Sequence, residues 1–183
     1  MTQLLLLIAV TSGIPDGSVV VKDCDHSITK FVTGSRICHT AMIFNHNGVP
    51  WVYEAYPPHV RAMPWEDYKR FVWKQIQDDS SLEMWVMQPR QNYSSVQVYY
   101  MLHYAQSELG RRYGVRSYAL PMPTRRIDCS EYTTRMLIAS GRFQSSAPWQ
   151  VSPGCFYQAI APYYFPAQRV LGGTKYETQR FSR

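Results

Sequence analysis

Apolar and polar positions fall into short blocks whose period changes from element to element. Residues 18–22, Ser-Val-Val-Val-Lys, form a β-branched run that predicts a strand. Residues 36–44 form a second apolar run that ends at Asn45-His46-Asn47-Gly48. Asn-Gly between apolar runs marks a hairpin, so a partner strand should return over 50–56. Pairs whose numbers sum to 95 or 93 put His39 and Glu54 on one face, diagonal or directly opposite, and a sum of 94 sends them to different faces. Helices are expected over 65–75 and 94–109, the second closed by Gly110, with a strand over 82–87 between them.

Residues 118–126, rich in proline and arginine, read as a loop before a helix over 129–140. Asp128 is its N-cap, Glu131 stands three positions later as in a capping box, and Gly141 supplies the stop. Ser152 caps a late helix with Pro153 at its first position, and a final strand falls near 167–171. Strands joined by hairpins, without regular βαβ alternation, predict an α+β fold with an antiparallel sheet. No linker, charge block or internal repeat divides the chain, so residues 1–183 read as one domain.

The helix over 129–140 carries the candidate chemistry. Cys129 on its first turn meets unpaired amide protons and the positive end of the helix dipole, which favour a thiolate. The motif alone equally fits a buried core cysteine. A base and its orienting group are available in the hairpin, where His39 and Glu54 share a face in two of the three registers; unrelated polar residues on a surface hairpin fit the same spacing.

Residues 4–10 are apolar but far too short to span a bilayer. They suit the core of a signal peptide, yet no Lys or Arg precedes Lys22, so a helix over 2–10 packed on the domain is the favoured expectation. Cys24, Cys38, Cys129 and Cys155 show no framework spacing, so reduced thiols are expected. Cys24-Asp25-His26 and Cys38-His39 lack the ligand spacing of a structural zinc, and no metal or cofactor is expected.

Nineteen Lys and Arg against thirteen Asp and Glu give a formal charge of +6. Arg111, Arg112, Arg116, Arg125 and Arg126 flank the approach to Cys129, where positive charge would lower the thiol pKa further and attract anionic substrates. Lys175, Arg180 and Arg183 read as a solvated surface. No nucleic-acid motif accompanies the charge, so nucleic acid is not an expected partner. Tyr53, Tyr56, Trp65, Tyr68, Trp73, Tyr99, Tyr100 and Tyr104 either line an apolar cleft near His39 or fill the core.

The order His39, Glu54, then Asp128-Cys129-Ser130 resembles the permuted papain-like amidases of the YiiX/YaeF type, circularly permuted relatives of the NlpC-type cell-wall peptidases. Cys38-His39-Thr40-Ala41-Met42-Ile43 is similar to that family's His strand, Val52-Tyr53-Glu54-Ala55 to its acidic strand, and Asp128-Cys129-Ser130-Glu131-Tyr132 to its nucleophile motif. Ile14-Pro15-Asp16-Gly17 resembles its opening Pro-Gly-Asp with two residues exchanged, and Ser152-Pro153 its late helix entry. Cys38 and Ala41 depart from the usual serine and glycine.

The resemblance implies a circularly permuted papain-like fold, its antiparallel sheet packed against helices including the nucleophile helix. Cys129 is then the nucleophile, His39 the general base and later acid, and Glu54 the group that orients His39. The Cys129 amide is a natural oxyanion donor, with Tyr113 and Tyr132 as weaker candidates for a second. The expected activity is hydrolysis of an amide, in a peptidoglycan peptide first, through a thioester acyl-enzyme. A lipid-directed thioesterase or acyltransferase, and a binding module that keeps the cleft without turnover, are the alternatives. The expected substrate is a peptide or acyl-amide, anionic and cell-wall or lipid-linked. The protein is expected to act as a monomer, membrane-surface contact is compatible with the charge, and the compartment is left open between the cytoplasm and export to the periplasm or cell envelope.

Overall fold

The computed structural model describes residues 13–24, 35–114 and 125–172. Six strands form one sheet: β1 Ser18–Asp23, β2 Ile37–His46, β3 Val49–Tyr56, β4 His59–Pro64, β5 Glu83–Met87 and β6 Gln168–Leu171. Their spatial order is β4-β3-β2-β1-β5-β6, and every neighbouring pair is antiparallel. The helices are α1 Trp65–Asp78, α2 Ser95–Ser107, α3 Cys129–Ala139 and α4 Pro153–Ile160. The proposed helix over 2–10 and most of the proline-arginine loop lie outside the described residues.

The β2–β3 hairpin has the register in which paired numbers sum to 95, with Met42 opposite Tyr53 and Phe44 opposite Trp51. Asn47 at φ 52° and Gly48 at φ 82° supply the two left-handed residues of the turn. That turn fixes the register, and the register fixes the face on which each side chain emerges. His39 therefore stands diagonal to Glu54.

Both faces of the sheet are covered, which explains why β1 is buried along its whole length. Val19, Val21, Met42, Phe44 and Tyr53 pack with Met101 of α2, Tyr132, Met136 and Leu137 of α3, and Phe156 of α4. On the opposite face Val20, Ala41, Ile43 and Val52 pack with Tyr68, Val72 and Ile76 of α1. Burial of each large aliphatic side chain contributes about 1.5–3 kcal/mol.

Two expectations need correction, and one strand has no counterpart in the sequence reading. The unread strand is β4, which follows the Pro57-Pro58 pair and ends at Pro64; it is an edge strand, where missing backbone donors are tolerated. Glu131 does not complete a capping box: its backbone amide donates to Asp128, but its carboxylate turns to Arg135 at 2.9 Å. Cys24 and Cys38 are not reduced thiols, because β1 lies against β2 with Lys22 opposite His39 and brings the two cysteines to a Cα separation of 5.9 Å, where they form a disulfide.

Candidate functional site

Antiparallel pairing gathers the C-terminal ends of β1 and β3 with the N-terminal ends of β2 and β4 at one end of the sheet. His39 and Glu54 meet there, Nε2 to Oε2 at 2.7 Å, both buried. The carboxylate accepts the Nε2 proton, which leaves Nδ1 as the free basic nitrogen. Arg61 on β4, opposite Glu54, donates through Nε at 2.8 Å and Nη2 at 2.6 Å to Oε1. Both carboxylate oxygens are therefore engaged.

Lys22 on β1 faces the same cluster from directly opposite His39. Neither Arg61 nor Lys22 was singled out from sequence. The available signal was a lysine directly after a run of three valines in one strand, which is conspicuous only once both faces of the sheet are known to be buried.

Cys129 arrives from α3. Asp128 caps that helix by accepting the Glu131 amide at 2.9 Å, and Thr133 Oγ1, which bonds the Cys129 carbonyl at 3.0 Å, also meets Thr40 Oγ1 at 3.0 Å. Thr40 follows His39 on β2, and its backbone and hydroxyl lie where they stabilise a sulfur anion. No hydrogen bond joins Cys129 directly to His39 among the described residues. The two are brought to the same end of the sheet, where Cys129 is buried.

Tyr113 is anchored by its amide to the Pro58 carbonyl and bridges to Ile127, two residues before Cys129. Burial first, then the charges of Cys129 and Asp128, hold its phenol protonated. Tyr132 is placed elsewhere: its hydroxyl donates to the Ala105 carbonyl at 2.7 Å inside the core between α2 and α3. Of the candidate aromatics, Tyr56 and Tyr68 border the site, while Trp73, Tyr99 and Tyr100 are exposed away from it. Tyr53 and Trp65 are core residues, and Tyr104 packs on Tyr132. Arg116, Lys175, Arg180 and Arg183 lie outside the described residues.

The electrostatics depart from the sequence expectation. Burial pushes the Cys129 thiol up to about 12, with Asp128 adding to the effect and Thr40 and Lys22 opposing it. The helix dipole that favours a thiolate is outweighed by desolvation. Burial and Lys22 bring His39 down to about 4 despite its bond to Glu54. Burial works against ionised Glu54, but His39, Lys22 and Arg61 outweigh it and hold the carboxyl at about 2. At neutral pH the site thus holds a thiol, a neutral imidazole and a carboxylate flanked by two cations.

Among the described residues no group of three or more His, Cys, Asp or Glu side chains is arranged to hold a metal ion. The His39–Glu54 pair does not fit one either, since Arg61 and Lys22 put positive charge where a cation would need donors. Cys24 and Cys38 are joined to one another, and Asp25 and His26 lie outside the described residues.

No family model and no curated relative matches the chain. Among solved structures, the chain is similar to the crystal structure of the metalloprotein YiiX (DUF1105) from Escherichia coli O157:H7, with a TM-score of 0.55 and 21% identity over 75% of this chain and 78% of that one. At that identity the likeness concerns architecture. The chain has a YiiX-like α+β fold.

Proposed function

We propose that this protein is a cysteine hydrolase of circularly permuted papain-like plan, in which Cys129, His39 and Glu54 cleave an amide through a thioester acyl-enzyme. The observation that carries this reading is the 2.7 Å His39–Glu54 bond at the sheet end that receives the first turn of α3. The carboxylate fixes the imidazole with Nδ1 as acceptor, the tautomer a thiol needs. Cys129 Sγ would bond to the acyl carbon as its proton passes to Nδ1, and that proton would then leave on the departing amine. Water, deprotonated by the same nitrogen, would release the acid and restore the thiol.

The Cys129 amide, unpaired at a helix start, is the first candidate oxyanion donor, and the protonated Tyr113 phenol the second. The neutral thiol and imidazole favour proton transfer during attack over a stored ion pair. Arg112 and Arg125 stand beside the Tyr113–Ile127 bridge and suit a substrate bearing carboxylates, as cell-wall peptides do, while Arg111 is held by Glu108 at 2.7 Å. The Cys24–Cys38 disulfide suits an oxidising compartment such as the cell envelope.

Peptidoglycan stem peptides and activated acyl esters provide the test, with intact-mass analysis to trap the acyl-enzyme. An adduct on Cys129 that is lost in C129A and H39A supports the hydrolase. Absence of any adduct or product with amide, ester and thioester probes overturns it. Decay accelerated by an added amine or lyso-lipid would instead assign the chemistry to a transferase.

A further inference from the structure

Lys22 is 2% exposed, in a sheet where every other residue of its strand is also buried. Lysine is almost never fully buried without a partner. Its Nζ donates to Gln75 Oε1 at 3.1 Å and otherwise lies over the rings of Tyr56 at 5.1 Å, Tyr68 at 5.5 Å and Phe71 at 5.5 Å. A methionine or leucine would fill such a cage without the cost of desolvating an ammonium, so packing alone gives no reason for a charge there. The chemistry next to it does. Lys22 faces His39 across the β1–β2 ladder, and its charge acts on Glu54 and Cys129.

We propose that Lys22 is a positioning residue of the Cys129–His39–Glu54 site, supplying a fixed positive charge that keeps a proton from resting on His39 and stabilises the sulfur anion as it forms. Two cations, Lys22 and Arg61, stand against one anion, Glu54, which leaves a surplus positive charge beside the thiol and the imidazole. The groups that face Lys22 are His39 on β2, Glu54 and Tyr56 on β3, Arg61 on β4, Tyr68 on α1 and Cys129 on α3. In that field an imidazolium is a strong acid, so the proton taken from Cys129 is handed on to the leaving group. Burial lowers Lys22 to about 8, with the ionised Glu54 working to keep it charged, so the ammonium persists at neutral pH.

The assignment rests on Cys129 and His39 as the reacting pair, and the experiment separates the two claims. His39 is followed by NMR of histidine-labelled protein, and Cys129 acylation by p-nitrophenyl acetate is measured against pH, in the unaltered chain, K22M and K22R. Loss of the Lys22 charge should raise the His39 protonation constant about tenfold in K22M, where one pH unit is one decade. It should also slow acylation while leaving ester binding unchanged, and K22R should restore both values. A folded K22M with an unaltered His39 titration overturns the proposal, even if Cys129 reacts normally. An unreactive Cys129 in the unaltered chain counts against the hydrolase, and the His39 titration still decides the role of Lys22. Should K22M not fold, lysine-labelled unaltered protein serves: the Lys22 Cε resonance should titrate well below the ordinary lysine range and move to lower pH in E54Q, which removes the anion that keeps Lys22 charged. Indifference to E54Q overturns the coupling.

Discussion

Arg61 places both of its hydrogen bonds, 2.8 and 2.6 Å, on a single oxygen of Glu54, and so leaves the other oxygen to His39. The carboxylate is thereby held in one orientation from two strands. Replacing Arg61 by Met removes the cation while its stem still packs, and strands a buried anion. The unfolding free energy at pH 7 should fall by on the order of 2 kcal/mol, below the full cost of breaking a buried pair because Arg61 is partly exposed. Urea titrations should show that deficit shrinking as pH falls from about 4.5 to about 2, where Glu54 is protonated in the native protein too.

Glu54→Gln should keep the contact with Arg61 and lose the chemistry. Its amide nitrogen would donate toward Nε2 of His39, moving the ring proton to Nδ1 and blocking the atom that would accept the thiol proton in the proposed mechanism. Acylation of Cys129 should drop by roughly 10³-fold or more, by analogy with amide replacement in other nucleophile-base-acid sites. A rate within tenfold of the unaltered protein would show that Glu54 does not set the tautomer.

The depressed His39 makes stability depend on pH with a definite sign. The ring is neutral in the folded chain down to about 4 but takes a proton near 6.5 once unfolded. The folded state binds fewer protons between those values, so this contribution is complete above about pH 6.5 and declines as pH falls through the window. Between pH 7 and pH 5 the loss should be on the order of 2 kcal/mol, and it should vanish from the difference in a His39→Gln background.

The disulfide closes a loop between residues 14 apart. Thiol counting in denaturant without reductant should find Cys129 and Cys155 alone. Replacing Cys24 and Cys38 by serine should lower the unfolding free energy by roughly 3 kcal/mol, the entropy cost of opening a loop of that size.

Tyr132→Phe provides the contrast. It removes one buried hydrogen bond to the Ala105 carbonyl and should cost about 1 kcal/mol of stability. Cys129 acylation should be unaltered, since the hydroxyl points between α2 and α3.

Elements set by local rules were legible in the chain. Asn47-Gly48 predicted the hairpin and a left-handed turn and narrowed the register to three, two of which join His39 to Glu54, and Asp128 with Gly141 framed α3. What escaped depended on distant neighbours. β4 is flanked by prolines and is a strand only because β3 offers it an edge. Lys22 and Arg61 belong to the site because three strand pairings converge, and the Cys24–Cys38 bond depends on the β1–β2 alignment. The acidity of Cys129 failed for a related reason. A helix dipole is visible in sequence, whereas the desolvation that exceeds it is a property of the assembled core.

The 2% exposure of Cys129 has a thermodynamic consequence for any ligand. An acyl group can reach the sulfur only in conformers where the covering side chains have moved, so each measured affinity is the intrinsic affinity multiplied by the fraction of molecules in that open form. Substitutions that populate the open form should strengthen apparent binding without touching an atom that contacts the substrate. Tight-binding inhibitors would then be those that favour the rare conformer over the abundant one.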